Sequence, residues 1–334
     1  MEKIILIQTA SIGDVILTTP VLEKVHHYFP TASIDILVKQ GMESLFIQHP
    51  FIHRVITWGK NQHKYRNLFK LIKKLRSEKY DLAINCQRFA STGLLTVGMN
   101  AKITTGFHKN PFSKFFTYRI EHNVGNLHEV ERNLSLIDFI GQEKQFPVRL
   151  YPTKNDYEKV AHLKNKPYIC IAPASLWFTK QFPESKWIEF IRFLPEDLVI
   201  YLLGSANEKI LCDSIMAACK PRRIISLAGE LSFLQVAALM REAKINYVND
   251  SAPLHLASAV NAPVAAIFCS TVPEFGFGPR SEHSFIIQTS ESLSCRPCGL
   301  HGHTSCPKGH FKCAYSIQSQ QLLKCLLEVK SYEL

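Results

Sequence analysis

Asn249-Asp250-Ser251-Ala252-Pro253-Leu254-His255 is the stretch that decides how this chain is read. An apolar run, residues 245–248, leads into it. A helix-like run, Leu256-Ala257-Ser258-Ala259-Val260, leads out of it. Strand, acidic turn and helix start, in that order, aim backbone N–H groups and the positive end of a helix dipole at whatever binds there. Phosphate is the natural guest. A similar junction opens the chain, where apolar residues 4–7 run into Ser11-Ile12-Gly13-Asp14 and then Val15-Ile16-Leu17. Two such junctions, each opening its own half, predict two nucleotide-fold domains facing one another.

The pattern outward from both junctions agrees. The first half alternates strand-like runs at 4–8, 34–38, 54–57, 82–85 and 103–106 with helix-like runs at 14–29, 42–48, 61–78, 90–98 and 126–140. Pro20 interrupts the first helical run, so that helix either kinks or restarts after Thr18 or Thr19. The second half repeats the plan. Its strands are expected at 168–172, 198–203, 224–227, 245–248 and 264–268, and its helices at 184–194, 206–219, 232–243 and 253–260. Such alternation implies an α/β fold with parallel sheets and helices on both faces. Residues 141–167 are polar and weakly patterned and read as the linker. Residues 270–314 read as irregular, and 316–329 as a closing helix. The expected division is therefore 1–155, 165–315 and a closing segment 316–334. In open parallel sheets ligands bind outside the carboxyl ends of strands. The loops that follow strands, at residues 13–14, 172–180, 204–205, 228–230 and 249–255, are thus expected at a common cleft.

At 334 residues the chain suits two domains. It contains no run of about 18 uncharged apolar residues, the length a membrane-spanning helix needs. The N-terminus enters a strand without a secretory pattern, so the protein is expected to be cytoplasmic. Its ten cysteines are then expected as thiols or metal ligands. The formal net charge of +11 is uneven. Residues 1–150 hold 20 Lys/Arg against 12 Asp/Glu, while residues 151–334 hold 19 against 16. The sharpest patch contains Lys60, Lys64, Arg66, Lys70, Lys73, Lys74, Arg76 and Lys79, with Glu78 the only acid. Leu68, Leu71, Ile72 and Leu75 recur through it at helical spacing. The reading is an amphipathic helix with a basic outer face, either simply solvated or docked to an anionic membrane or substrate. Nucleic acid is not the expected partner, since stacking aromatics are few and no nucleic-acid motif is present.

Four groups of residues carry candidate chemistry. Asp14 follows the first strand beside Gly13, whose missing side chain lets a substrate approach. As a carboxylate at a helix start it is either a cap or a general base, and the helix dipole favours its ionised form. The loop after residue 172 presents Ser175, Thr179 and Lys180, hydroxyls and an ammonium suited to a departing phosphate. Trp177 and Phe178 are expected to pack this loop down, with a place in the cleft wall as the alternative. The Asp250 loop offers the backbone of Ser251, Ala252, Pro253 and Leu254 to a pyrophosphate, with His255 on the first helical turn. Asp250 itself repels phosphate, so it accepts from sugar hydroxyls or orients the loop. Glu230, after a strand and a glycine, is placed to hold ribose hydroxyls. The last group is Cys295-Arg296-Pro297-Cys298 with Cys306 and Cys313 and the interspersed His301, His303 and His310. It is read as a metal-free structural appendage, with zinc on the four thiols as the alternative.

Three features together resemble glycosyltransferase family 9, the ADP-heptose:lipopolysaccharide heptosyltransferases. These are Ile12-Gly13-Asp14-Val15 with Thr18-Thr19-Pro20, the 177–183 loop with Lys180, and Asn249-Asp250-Ser251 through His255-Leu256-Ala257. The Cys-Arg-Pro-Cys-Gly-Leu-His-Gly loop is similar to that of the heptosyltransferase II-like branch. The resemblance implies the GT-B fold, two Rossmann-like domains with acceptor held by the first and nucleotide sugar by the second. It implies Asp14 as base, Lys180 on donor phosphate and the Asp250 loop around the donor. It implies ADP-heptose as donor, a lipid A–Kdo precursor as acceptor, no required cofactor, and work at the inner leaflet of the inner membrane. Ala252, where many relatives have Gly, and Leu176, where some have a second hydroxyl, are departures. Other readings remain open. One is a related GT-B enzyme using another nucleotide sugar, and another is a zinc-stabilised binding protein. A nucleotide-dependent oxidoreductase is disfavoured, because no G-x-G-x-x-G follows the first strand.

Overall fold

A computed structural model describes residues 1–59, 64–123, 127–141, 143 and 145–332. The chain divides into two compact units, Met1–Tyr151 and Pro152–Leu334.

The first unit holds six parallel strands: β1 Lys3–Gln8, β2 Ser33–Lys39, β3 Ile52–Trp58, β4 Leu82–Asn85, β5 Ile103–Phe107 and β6 Tyr118–Ile120. Their order across the sheet is β3-β2-β1-β4-β5-β6. Helices α1 Ile12–Ile16, α2 Thr19–Tyr28, α3 Lys64–Glu78, α4 Ala90–Gly98 and α5 Glu129–Ser135 connect them. β1 is central and reads Ile4-Ile5-Leu6-Ile7 because both of its faces are buried. The expected 14–29 helix is two helices. α1 stops at Ile16, and α2 restarts from Thr18 with Pro20 in its first turn, where a missing N–H costs nothing. The hydroxyls of Thr18 and Thr19 donate to the carbonyls of Val15 and Ile16 across that break.

The second unit repeats the plan with β7 Tyr168–Ala172, β8 Val199–Leu202, β9 Ile224–Ser226, β10 Asn246–Asn249, β11 Val264–Phe268 and β12 Ser284–Gln288. The order is β12-β11-β10-β7-β8-β9. Numbered within its own unit, each sheet runs 3-2-1-4-5-6, the doubly wound order of Rossmann-like domains. Its helices are α6 Lys154–Val160, α7 Glu184–Phe193, α8 Lys209–Ala218, α9 Phe233–Arg241, α10 Ala252–Ala259, α11 Lys312–Tyr315 and α12 Ser319–Tyr332.

Four expectations are corrected. The 141–167 stretch contains α6, opened by a capping box in which Asp156 N–H donates to Thr153 Oγ1 at 3.2 Å and Thr153 N–H to Asp156 Oδ2 at 2.8 Å. α6 packs on α9, so residues from 152 onward belong to the second unit. The 270–314 stretch contains β12, paired in register with β11 from Val264↔Ser284 to Phe268↔Gln288. Edge strands β12 and β6 are only partly covered, and β6 has just three residues, so their alternation is weak. The closing helix is no separate segment. α12 lies against α7, and the Tyr247 hydroxyl donates to the Leu322 carbonyl at 2.8 Å beneath it. Lys60 of the expected basic patch, and residues 61–63 and residue 126 of the expected helices, lie outside the described residues.

In the first unit Asp35 on β2 anchors the edge strand. Its Oδ2 accepts from Arg54 Nη2 at 2.7 Å and Tyr80 Oη at 2.5 Å, and its Oδ1 lies 3.1 Å from His53 Nδ1. Arg54 also bonds Glu78 at the end of α3 at 2.9 Å. Asp35→Asn removes the charge from a buried ionic cluster. Arg54 keeps Glu78 and stays about a third exposed, so the expected loss is about 2–3 kcal/mol. Urea unfolding checks this, and a change under about 0.5 kcal/mol would show that the cluster does not anchor β3.

Candidate active site

In doubly wound sheets the crevice for ligands opens where the crossovers change direction, outside the carboxyl ends of the two central strands. In the second unit those strands are β7 and β10. The loops leaving them carry Lys180 and Asp250. In the first unit they are β1 and β4; β1 leads through residues 9–11 into α1, which carries Asp14, and β4 leads into residues 86–89.

The β7 loop is stitched down rather than loose. Asn249, the last residue of β10, is fully buried. Its Nδ2 donates to the carbonyls of Pro173 at 2.8 Å and Ala174 at 3.2 Å, and its Oδ1 accepts the Phe182 N–H at 2.9 Å. Gln181 Nε2 closes the loop onto the Ser175 carbonyl at 2.6 Å. Within this frame Lys180 Nζ meets Asp250 Oδ2 at 2.7 Å, and the same oxygen accepts the Thr271 hydroxyl at 2.7 Å. Asp250 is thus engaged in orienting Lys180 and the end of β11. Ser175 is buried, whereas Leu176 is 88% exposed at the tip of the loop. Phe178 rests on Phe311, with ring centroids 5.1 Å apart. Thr179 departs from expectation. It is 1% exposed, and its hydroxyl oxygen accepts from His303 N–H at 2.8 Å and Ser270 Oγ at 3.1 Å. It is an internal joint, not a hydroxyl turned outward toward a phosphate.

The α10 start offers fewer donors than its sequence suggests. Ser251 is the cap residue, Pro253 in the first turn has no N–H, and Leu254 N–H is spent on the Ser251 carbonyl at 3.0 Å. Of the expected donors, Ser251 and Ala252 remain outside these constraints. His255 is buried beneath them. Glu230 is exposed after Gly229, whose φ of +80° suits a residue without Cβ.

Asp14 is half-buried at the third position of α1, beside buried Gly13. Its Oδ2 accepts the Ser11 N–H at 3.2 Å and the Ser11 hydroxyl at 2.5 Å. The capping role is therefore realised, and both bonds fall on one oxygen. α5 lies close by, with Asn133 Nδ2 reaching the Leu17 carbonyl at 3.4 Å. One turn earlier stands Glu129, which sequence reasoning missed. Burial pushes its carboxyl above the ordinary range. The Arg132 guanidinium, bonded to Glu129 Oε2 at 2.7 and 2.8 Å, opposes that shift, and the Asp14 charge adds to it. His122 Nε2 lies 3.9 Å from the same oxygen, and burial together with nearby Arg88 holds its pKa down to about 4. No spacing rule joins residues 14, 122 and 129; only the fold does.

The Cys/His segment is no mere appendage. His303 and Thr179 exchange main-chain and side-chain bonds, with Thr179 N–H donating back to the His303 carbonyl at 3.1 Å. Gly302 sits so close that a Cβ there would lie 3.1 Å from Thr179 Oγ1 and 3.2 Å from Lys180 Cγ. Cys298 N–H donates to the Ser270 carbonyl at 2.8 Å. Cys295 Sγ is 3.9 Å from His310 Nε2, and burial pushes the Cys313 thiol up to about 11. All ten cysteines are free thiols. Among the described residues no group of three or more His, Cys, Asp or Glu side chains is arranged to hold a metal ion.

Comparison with known proteins adds the chemistry. The sequence model of glycosyltransferase family 9 (heptosyltransferase) matches residues 68–303. The lipopolysaccharide heptosyltransferase 3 of Escherichia coli is 30% identical over 277 residues, covering 78% of this chain and 81% of that one. Two solved structures share the fold at 19% identity. They are the E. coli ADP-heptose lipopolysaccharide heptosyltransferase II, with a TM-score of 0.82 over 100% of this chain and 99% of the other, and a family 9 glycosyltransferase from Veillonella parvula, with 0.86 over 98% of each. The class is thus a GT-B glycosyltransferase, an α/β protein of two Rossmann-like sheets. The chain belongs to glycosyltransferase family 9, the heptosyltransferases.

Asn249→Asp keeps the acceptor for Phe182 but turns the donor into an oxygen facing two carbonyls. A loss of about 2–4 kcal/mol is expected. Urea unfolding within about 0.5 kcal/mol of wild type would show that this amide does not hold the loop.

Proposed function

We propose that this protein transfers heptose from ADP-heptose to the inner core of a lipopolysaccharide precursor, a lipid A–Kdo acceptor, with inversion at the anomeric carbon. Family membership and the lipopolysaccharide relatives support the reaction class. The observation that carries the reading is Lys180 held by Asp250 beside the start of α10, at the crossover switch of the second unit; Asp14 stands at the corresponding switch of the first unit.

Asp14 Oδ2 is taken up by the Ser11 cap, which leaves Oδ1 to accept the proton of the acceptor hydroxyl. That oxygen attacks the anomeric carbon from the face opposite the diphosphate. Lys180 leaves or shares its bond to Asp250 and meets the charge growing on the departing diphosphate, assisted by the N–H groups of Ser251 and Ala252 at the start of α10. Preorganised charge of this kind contributes much of the rate enhancement in many enzymes. Ser175 and the start of α10 at Ser251 and Ala252 line the donor side in this reading, and Glu230 takes the ribose hydroxyls. The scheme assigns no step to a metal or other cofactor.

Asp14→Asn tests the base directly, because the amide oxygen can still cap Ser11 while it cannot take a proton. Transfer is expected to fall about 10²–10⁴-fold with ADP affinity little changed. Retention of more than half the turnover would remove Asp14 from the mechanism. A panel of nucleotide sugars, assayed by nucleotide release with acceptors of defined length, tests donor and acceptor.

The same proposal places the enzyme at the cytoplasmic leaflet of the inner membrane. No helix among the described residues is long and apolar enough to cross a bilayer. What supports surface docking is α3. It buries Leu68, Leu71 and Leu75 and exposes Arg66, Lys70, Lys73 and Lys74 together with Tyr65 and Phe69. Lys70 and Lys74 also border a groove of about 380 Å³ beside β3. Each cation near an anionic surface contributes about 1 kcal/mol. Lys70→Glu, Lys73→Glu and Lys74→Glu together are expected to reduce sedimentation with anionic vesicles, and salt to weaken the wild type. Vesicle binding indifferent to both would leave α3 a solvated face.

A further inference from the structure

Arg296 stands between two cysteines in a segment whose sequence draws attention to its thiols. Its guanidinium is half-buried, and burial pulls its pKa below the ordinary value. Four neutral acceptors surround it. Nε donates to the Cys269 carbonyl at 2.8 Å. Nη2 reaches Gln288 Oε1 at 2.7 Å and the carbonyls of Thr271 at 2.8 Å and Phe268 at 3.2 Å. A desolvated guanidinium needs such a set of partners, and only a planar fork reaches several at once.

What it grips is the outgoing end of β11, and that end touches Lys180 by two routes. Thr271 donates its hydroxyl to Asp250 Oδ2 at 2.7 Å, the oxygen that holds Lys180 Nζ at 2.7 Å. Ser270 N–H donates to the Thr179 carbonyl at 3.2 Å, and its hydroxyl to Thr179 Oγ1 at 3.1 Å. Arg296 therefore braces both the carboxylate that the ammonium meets and the backbone from which it hangs. Gly302, from the same segment, approaches the Lys180 stem closely, a Cβ there lying 3.2 Å from Lys180 Cγ.

We propose that Arg296 is a positioning residue for Lys180, setting where the ammonium stands for a nucleoside diphosphate. The proposal rests on the reading of Lys180 as the diphosphate's cation. A purely structural arginine and a positioning one differ in how their loss combines with loss of Lys180.

The test is a double-mutant cycle on ADP affinity, measured by calorimetry on the full chain for wild type, Lys180→Ala, Arg296→Lys and the double variant. Lysine keeps the charge but not the fork. Lys180→Ala is expected to weaken ADP about tenfold and Arg296→Lys about fivefold, with the double variant within about twofold of Lys180→Ala alone. An Arg296→Lys variant with wild-type affinity overturns the proposal. So does one whose full factor persists on the Lys180→Ala background, because Arg296 would then act independently of the ammonium. Wild-type ADP affinity in Lys180→Ala itself would remove the reading underneath, and the proposal with it. Should Arg296→Lys fail to fold, Thr271→Val, which deletes only the hydroxyl joining β11 to Asp250, takes its place in the cycle with the same expectations.

Discussion

Asn249 Oδ1 accepts the Phe182 N–H while its Nδ2 reaches the carbonyls of Pro173 and Ala174. One fully buried carboxamide thereby spends its hydrogen-bonding capacity on tying the end of β10 to both ends of the β7 loop. An unmade bond of this kind leaves a desolvated group costing about 1–3 kcal/mol, so the loop has little freedom to sit elsewhere. Lys180 lies inside the closed span. Its pairing with Asp250 is possible because Asn249 brings adjacent strands' loops to one point, where the sheet's crossovers change direction.

A second layer rests on that joint. The end of β11 contributes Thr271 to Asp250 and Ser270 to Thr179, and the 296–303 segment contributes Arg296, Gly302 and His303 around them. Thr179 shows how the layers meet. Its hydroxyl is buried between Ser270 and His303 and has a structural task in place of the ligand contact its position in sequence suggests. The thiol-rich segment is thus part of the construction of the Lys180 site, whatever else its cysteines do.

In the first unit the economy is different. Asp14 serves its own short helix through Oδ2 and lies near a second carboxyl, Glu129, that burial and Asp14 both push toward the protonated form. Arg132 keeps that group paired. The two carboxyls sit in unlike surroundings, one half-exposed at a helix start and one buried against a guanidinium, the kind of difference that separates the tasks of neighbouring acids.

The doubled α/β plan was legible in the sequence because period and run length are local quantities. Central strands buried on both faces read as unbroken apolar runs, as in residues 4–7 and 169–172. The strand-turn-helix junctions at Asp14 and Asp250 were legible for the same reason, and the order of motifs pointed to the family. Less visible were β6 and β12, half-covered edge strands with weak alternation, and α6, whose capping box lay in a polar stretch read as linker. What only the tertiary structure decided is which side chains spend their polar atoms on one another. Thr179 turning inward, Glu129 lying beside Asp14, and Arg296 gripping β11 each depend on contacts between residues far apart in the chain. Sequence shows a side chain's chemistry and its local period; burial and long-range hydrogen bonds determine whether that chemistry faces a ligand or the protein itself.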